Sequence, residues 1–138
     1  MDLLVNIDVP DLEKAIAFYG QAVGAHVTRR FGAWGVEMLG SSSPLYLLVK
    51  EEDTKPSVAS EEVRRYHRHW TPVHLDFVVS SIEPAVSRAL AAGATLEGEI
   101  QTHKWGRIAT MADPFGHGIC FIEFLGRGYD EIADKGDG

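Results

Sequence analysis

The feature that most constrains this chain is an internal repeat, because a repeat fixes an architecture before any single motif is weighed. LVNIDVPDLEKA, residues 4–15, is echoed by HLDFVVSSIEPA, residues 74–85. Val5, Ile7 and Val9 fall against Leu75, Phe77 and Val79, while Leu4, Asn6 and Asp8 fall against His74, Asp76 and Val78. Each segment alternates as a half-buried strand does and then changes to a helical period. Leu12, Ala15, Ile16, Tyr19, Ala22 and Val23 keep helical spacing as far as Gly24. Ile82, Ala85, Val86, Ala89 and Leu90 keep it as far as Gly93, with Pro84 in the first turn, where its missing N–H is tolerated.

Each helical segment is followed by three strand-like stretches. They are HVTRRFG, WGVEMLG and PLYLLVKE in the first half, and TLEGEIQ, WGRIATMA and GICFIEFLG in the second. Even Trp34-Gly35 finds its partner in Trp105-Gly106. The expected fold is therefore α+β and a single domain over 1–138. Two βαβββ modules, 3–50 and 71–125, would form a cup-shaped, partly open mixed β-sheet barrel with the helices outside. The polar linker, 51–70, contains SEEVRRYHRHW, which reads as a short helix capped by Ser60 with Glu61 and Glu62 in its first turn. GRGYDEIADKGDG, 126–138, reads as a mobile acidic tail.

Composition narrows the function classes. At 138 residues, 45% hydrophobic and 24% charged, the chain suits one soluble domain. MDLLVNIDVP lacks the basic and apolar regions of a signal peptide, and no apolar run approaches the roughly 20 residues a membrane span needs. Cys120, the single cysteine, can form no internal disulfide. A cytoplasmic protein without a membrane partner is expected. The net charge of −7 speaks against a nucleic-acid partner, since the only basic concentration, RRYHRHW, follows acidic pairs.

Strand alternation puts Asn6, Asp8, His74 and Asp76 on the face turned away from the helices, where they would line the cup as a polar ligand pocket. Asp8 and Asp76 would make that pocket acidic and suited to a cationic ligand. Trp34 and Trp105 sit at equivalent strand starts and serve either as packing or as ligand stackers at the rim. His67 and His69 are two apart and give no helical i, i+4 pair, so HRHWTPVH reads as a linker with incidental histidines rather than a zinc site. DPFGHG is turn chemistry that aims the last strand, with Gly116 and Gly118 admitting positive φ and His117 at the turn surface.

VPDLEKAIAFY near the start, DPFGHG near the end and the repeat between them resemble, in that order, the vicinal oxygen chelate superfamily. That group includes glyoxalase I, extradiol dioxygenases, fosfomycin-resistance enzymes and bleomycin-resistance proteins. The resemblance covers about residues 3–125 and implies paired modules in a homodimer. It also implies four metal-ligand positions, which here read Leu4, Tyr46, His74 and Cys120. Leucine supplies no ligand, and thiolate with phenolate is an unusual set for a hard cation. Glu123 falls with Phe121 on the face opposite Cys120. His74 is then either the remnant of a metal site, an acid/base group, or a strand histidine bonded to Asp76 or Tyr46. Cys120 is a buried filler or a ligand contact.

The leading expectation is a small-molecule-binding protein with an incomplete metal tetrad and no cofactor, sequestering a ligand as the bleomycin-resistance proteins do. The alternative is a lyase, isomerase or dioxygenase of the glyoxalase type, with His74 as ligand of a divalent metal or as base and catalytic help from Tyr46, Asp76 and Cys120.

Overall fold

The computed structural model describes residues 1–135. The first module runs β1 (Val5–Val9), α1 (Leu12–Val23), β2 (His26–Phe31), β3 (Gly35–Leu39) and β4 (Leu45–Val49). The second runs β5 (Leu75–Val78), α2 (Ile82–Ala91), β6 (Thr95–Leu96), β7 (Gln101–Thr102), β8 (Gly106–Ala112) and β9 (Gly118–Phe124). Each module builds its own mixed sheet, in the orders β1-β4-β3-β2 and β5-β9-β8-β6, with β7 also on β8. The first strand lies parallel to the last in both, β1 on β4 and β5 on β9, and the other pairs are antiparallel. A parallel pair cannot be joined by a tight turn, so the helix and the intervening strands supply the crossover. Among the described residues the sheets do not close into a barrel.

The helix ends follow from local chemistry. Asp11 accepts the Lys14 N–H at 3.1 Å, and Gly24 closes α1 with a φ of 74° that a side chain would resist. Ser81 makes no side-chain cap for α2; instead Glu123 on β9 accepts the Ile82 N–H at 2.8 Å. Glu123 thus lies on the helix side, as alternation requires. Val9, Ile7 and the half-buried Val5, Leu75, Phe77 and Val79 pack under the helices with Phe18, Ala22, Ile82 and Val86. Burial at these positions is the main driving force for the two-layer packing.

One buried polar contact spans the modules. The Tyr19 hydroxyl on α1 donates to Asp113 Oδ2 at 2.7 Å, and Asp113 Oδ1 accepts the N–H groups of Phe115 and His117. Asp113 is the Asp of DPFGHG, so the turn is held from inside.

Several expectations are corrected. TLEGEIQ is not one strand: Gly98, at φ 73°, interrupts it, and the chain leaves β8 between Leu96 and Gln101. The linker holds no helix. From Arg64 onward it is an extended strap whose alternate side chains reach the body, Arg64 to Asp8, Tyr66 to the Lys50 carbonyl, and Arg68 and Trp70 to Glu97. Helical spacing would turn those four side chains to different sides; a period of two keeps them on one. The expected mobile tail begins instead with a 3-10 turn, Gly128–Glu131, whose Tyr129 packs on Phe124 and Trp105 at ring distances of 4.8 and 5.2 Å. Residues 136–138 of that tail lie outside the described residues. Gly116 does adopt positive φ (90°), but Gly118 is required for another reason: a Cβ there would stand 2.7 Å from the Trp70 ring.

Candidate functional site

The edge strands β1 and β5 are not hydrogen-bonded to each other, and a cavity of about 340 Å³ lies between them. Val5, Ile7, Val73, Leu75 and Ile119 give it apolar walls. Its polar lining comes from both modules and from the strap: Asn6 and Asp8 on β1, His74 just before β5, His69, and His117 at the head of β9. Apolar walls with a few convergent polar groups are the usual make-up of a small-molecule site. A second opening, about 640 Å³, lies beside Gly40–Ser42 and Asp76–Val79 and carries no histidine.

Asn6, Asp8 and His74, expected on a cup face turned away from the helices, line this cavity together with Val5, Ile7 and Leu75 of the opposite, helix-side face, so it is a space at the strand edges and not the expected cup. Asp76 stands next to it, with His74 Nε2 3.2 Å from Asp76 Oδ1 and the Trp70 ring edge-on to His74 at 5.3 Å. The acidic character expected of the pocket is neutralised at Asp8, where Arg64 Nε donates to Oδ2 at 2.8 Å; Asp76 lies 3.2 Å from His74 Nε2 and has no arginine or lysine partner among the described residues.

Neither Tyr46 nor Cys120 lines the cavity; each sits on its own sheet, with Cys120 Sγ within 4.8 Å of ligand atoms of His74 and Asp76. The register puts Asn6, Tyr46, Glu37 and Arg29 in one row across the first sheet, and Asp76, Cys120 and Thr110 in the equivalent row of the second. In the first row Glu37 collects Arg29 through two contacts, 3.0 and 2.6 Å, together with the hydroxyls of Tyr46 at 2.6 Å and Thr28 at 2.8 Å. Arg29, then Tyr46 and Thr28, hold the Glu37 carboxyl down at about 2, and Glu37 in turn raises the Tyr46 hydroxyl. In the second row burial raises the Cys120 thiol, against the smaller opposing effect of Thr110, and nearby Asp76 adds to the rise. The thiol is therefore kept protonated at neutral pH, unlike a reactive cysteine.

Neither tryptophan expected at the rim touches the cavity. Trp34 is exposed and stacks on Phe31 at 5.3 Å; Trp105 stacks on His103 at 5.4 Å and meets the Tyr129 ring. Two histidines of the lining, His69 and His117, were not expected there from the sequence. His117 is drawn inward, its Nε2 donating to the Asp8 carbonyl at 2.7 Å and its Nδ1 lying 3.2 Å from His69 Nε2. The signal was present in RRYHRHW, whose Arg-x-Tyr-x-Arg-x-Trp alternation marks an extended strap rather than a helix.

The donor set for a metal can be tested directly. Ligand atoms of His74, Asp76 and Cys120 lie within 4.8 Å of one another, all in the second module. From the first module come only Leu4, with no donor, and Tyr46, whose hydroxyl is committed to Glu37. One nitrogen, one carboxylate and one protonated thiol do not make the oxygen-rich shell a hard divalent cation takes.

A family model described as a glyoxalase-like domain matches residues 4–122. An uncharacterized protein of Mycobacterium tuberculosis (strain ATCC 25618 / H37Rv) is 27% identical over 115 residues, 81% of this chain and 68% of its own length. Among solved structures, a glyoxalase/bleomycin resistance protein/dioxygenase family enzyme from Burkholderia phytofirmans PsJN superposes with a TM-score of 0.69 at 20% identity, over 91% of this chain and 100% of that one. The fosfomycin resistance protein FosX of Listeria monocytogenes superposes with a TM-score of 0.70 at 16% identity, over 95% and 96%. A mutant of FosX has been solved with Mn(II) and 1S,2S-dihydroxypropylphosphonic acid. At these identities the solved structures establish a common fold. The match over residues 4–122 establishes more: the chain belongs to the glyoxalase-like domain family, within the vicinal oxygen chelate superfamily.

Proposed function

We propose that this protein binds a small organic molecule in the cavity between β1 and β5 and does so without a metal. The observation that carries the reading is the convergence of Asn6, Asp8 and His74, from two modules, on one apolar-walled space of about 340 Å³. A hydrocarbon body would be stabilised there by burial against Val5, Ile7, Leu75 and Ile119, at about 25 cal/mol per Å² removed from water. Asn6 and His74 would orient its polar end. The metal-dependent alternative lacks support from the donor set, since Leu4 offers nothing and Glu37 holds Tyr46.

The test is a fragment screen on chelator-treated, ¹⁵N-labelled protein. The expected result is a set of binders whose amide shifts cluster at Asn6–Asp8, His74–Leu75 and His117–Ile119. Binders that appear only after metal is added, or shifts confined to other surfaces, would contradict the reading.

A further inference from the structure

The hydrogen bonds around His69 and His117 fix a proton count. His69 Nδ1 lies 2.7 Å from the His67 carbonyl oxygen, and His117 Nε2 lies 2.7 Å from the Asp8 carbonyl oxygen. A carbonyl oxygen only accepts, so each of those nitrogens carries a proton. Between the rings, His117 Nδ1 and His69 Nε2 are 3.2 Å apart, and a hydrogen bond there needs one proton more. The contacts demand three protons, whereas two neutral imidazoles hold two. With that inter-ring bond made, the pair would carry one positive charge whichever ring takes the extra proton.

Asp113 in the turn and Asp76 beside His74 are the nearby carboxylates that no arginine or lysine pairs among the described residues. On β1, the Asp8 carboxylate is paired with Arg64. In the turn, Asp113 is engaged by Tyr19 and two backbone N–H groups. On the strap, Arg68 is paired with Glu97, His67 offers its carbonyl, and Tyr66 presents its ring edge-on to His117 at 6.1 Å with its hydroxyl on the Lys50 carbonyl. Lys14 lies over the Phe115 ring beyond His117. Among the described residues, Asp8 is the only carboxylate in the cavity lining, and Arg64 neutralises it.

We infer that the His69–His117 pair holds a shared proton and makes this cavity selective for a small organic anion with an apolar body, of the carboxylate class. The inference rests on the proposed ligand site and adds the charge of its occupant. All three protons of the pair are used internally, so the pair acts through its field, while the Asn6 side-chain amide supplies a direct hydrogen bond to the anion. A unit charge roughly 6 Å from a carboxylate in a partly solvated site favours it about tenfold over a neutral analogue. This reverses the preference for a cation expected from Asp8 and Asp76.

Two measurements on the intact protein test this. Long-range ¹H–¹⁵N spectra of the imidazoles at pH 6 read the proton count without any substitution; one net extra proton on the pair is expected, and two neutral rings would overturn the inference. Hexanoate, hexanol and hexylammonium are then titrated at pH 6 and pH 9, a range over which hexanoate keeps its charge. Hexanoate is expected to bind about tenfold more tightly than hexanol at pH 6 and to lose that advantage at pH 9 and in His69→Phe. Equal binding of hexanol and hexanoate, or preference for hexylammonium, would overturn the anion preference and leave the cavity as the ligand site. Binding of none of the three would count against both readings.

Discussion

Tyr19→Phe removes one oxygen atom and tests whether the contact between α1 and the DPFGHG turn holds the two modules together. Tyr19 is 0% and Asp113 4% exposed. Of the two Asp113 oxygens, Oδ1 keeps the Phe115 and His117 N–H donors at 2.8 and 3.0 Å, whereas Oδ2 loses its only donor among the described residues. A hydrogen bond to a charged, buried acceptor contributes roughly 1.5–3 kcal/mol, and the phenyl ring still fills its space, so no cavity term is added. The expected loss is about 2 kcal/mol, equivalent to a Tm lower by about 6 °C for a domain of this size. Urea unfolding followed by tryptophan fluorescence measures it, provided both proteins unfold in one transition with equal slopes. A loss below about 0.5 kcal/mol would refute the role assigned to the contact. The variant should also change the alkaline limb. Burial, then Asp113, hold the Tyr19 hydroxyl well above its usual range, so the folded state keeps this proton after the unfolded chain has released it near pH 10. Stability from Tyr19 is present below pH 10 and is lost as pH rises beyond it. Tyr46 and Tyr66 are raised too, so in Tyr19→Phe the alkaline decline becomes shallower without vanishing.

Glu37→Gln should flatten acid denaturation. The Glu37 carboxyl is held at about 2 against an ordinary 4.5, so its contribution is present above pH 4.5 and is lost as pH falls toward 2; an unchanged acid limb would refute this. Gly116→Ala places a Cβ 2.1 Å from the His67 carbonyl at a φ of 90°. It should cost more than about 1 kcal/mol and shift Trp70 emission as the strap lifts, whereas wild-type emission and stability would contradict the docking described here. Cys120, buried with a raised thiol, should react with a disulfide reagent at pH 7.5 only at the rate of unfolding, and rapid labelling of the native protein would show the site to be open.

The repeat carried most of the fold, because a period of two followed by a period near 3.6 is written directly in where Val5, Ile7 and Val9 and then Leu12, Ala15 and Tyr19 fall. The faces of β1 and β5 followed from it, and so did the positions of Asn6, Asp8 and His74. Local rules failed where long-range partners decide. Ser60 and two glutamates look like a helix start, yet Asp8, the Lys50 carbonyl and Glu97 reward an extended strap, and they lie far away in sequence. His117 looks like a turn-surface residue until the strap brings His69 beside it. The charge at Asp8 was hidden for the same reason: Asp8 is visible in the sequence, but Arg64, 56 residues further on, is what neutralises it.

A ligand site that works without a metal should stay metal-free under loading, which elemental analysis can read. Tag-free protein purified without chelator, beside His74→Ala, is loaded separately with zinc, nickel, manganese and ferrous iron, desalted and analysed by plasma mass spectrometry. Far less than one ion per chain is expected for every metal, with no difference between the two proteins. Near-stoichiometric metal in the wild type that disappears in His74→Ala would contradict a metal-free site, and would make the His74, Asp76 and Cys120 cluster the working centre.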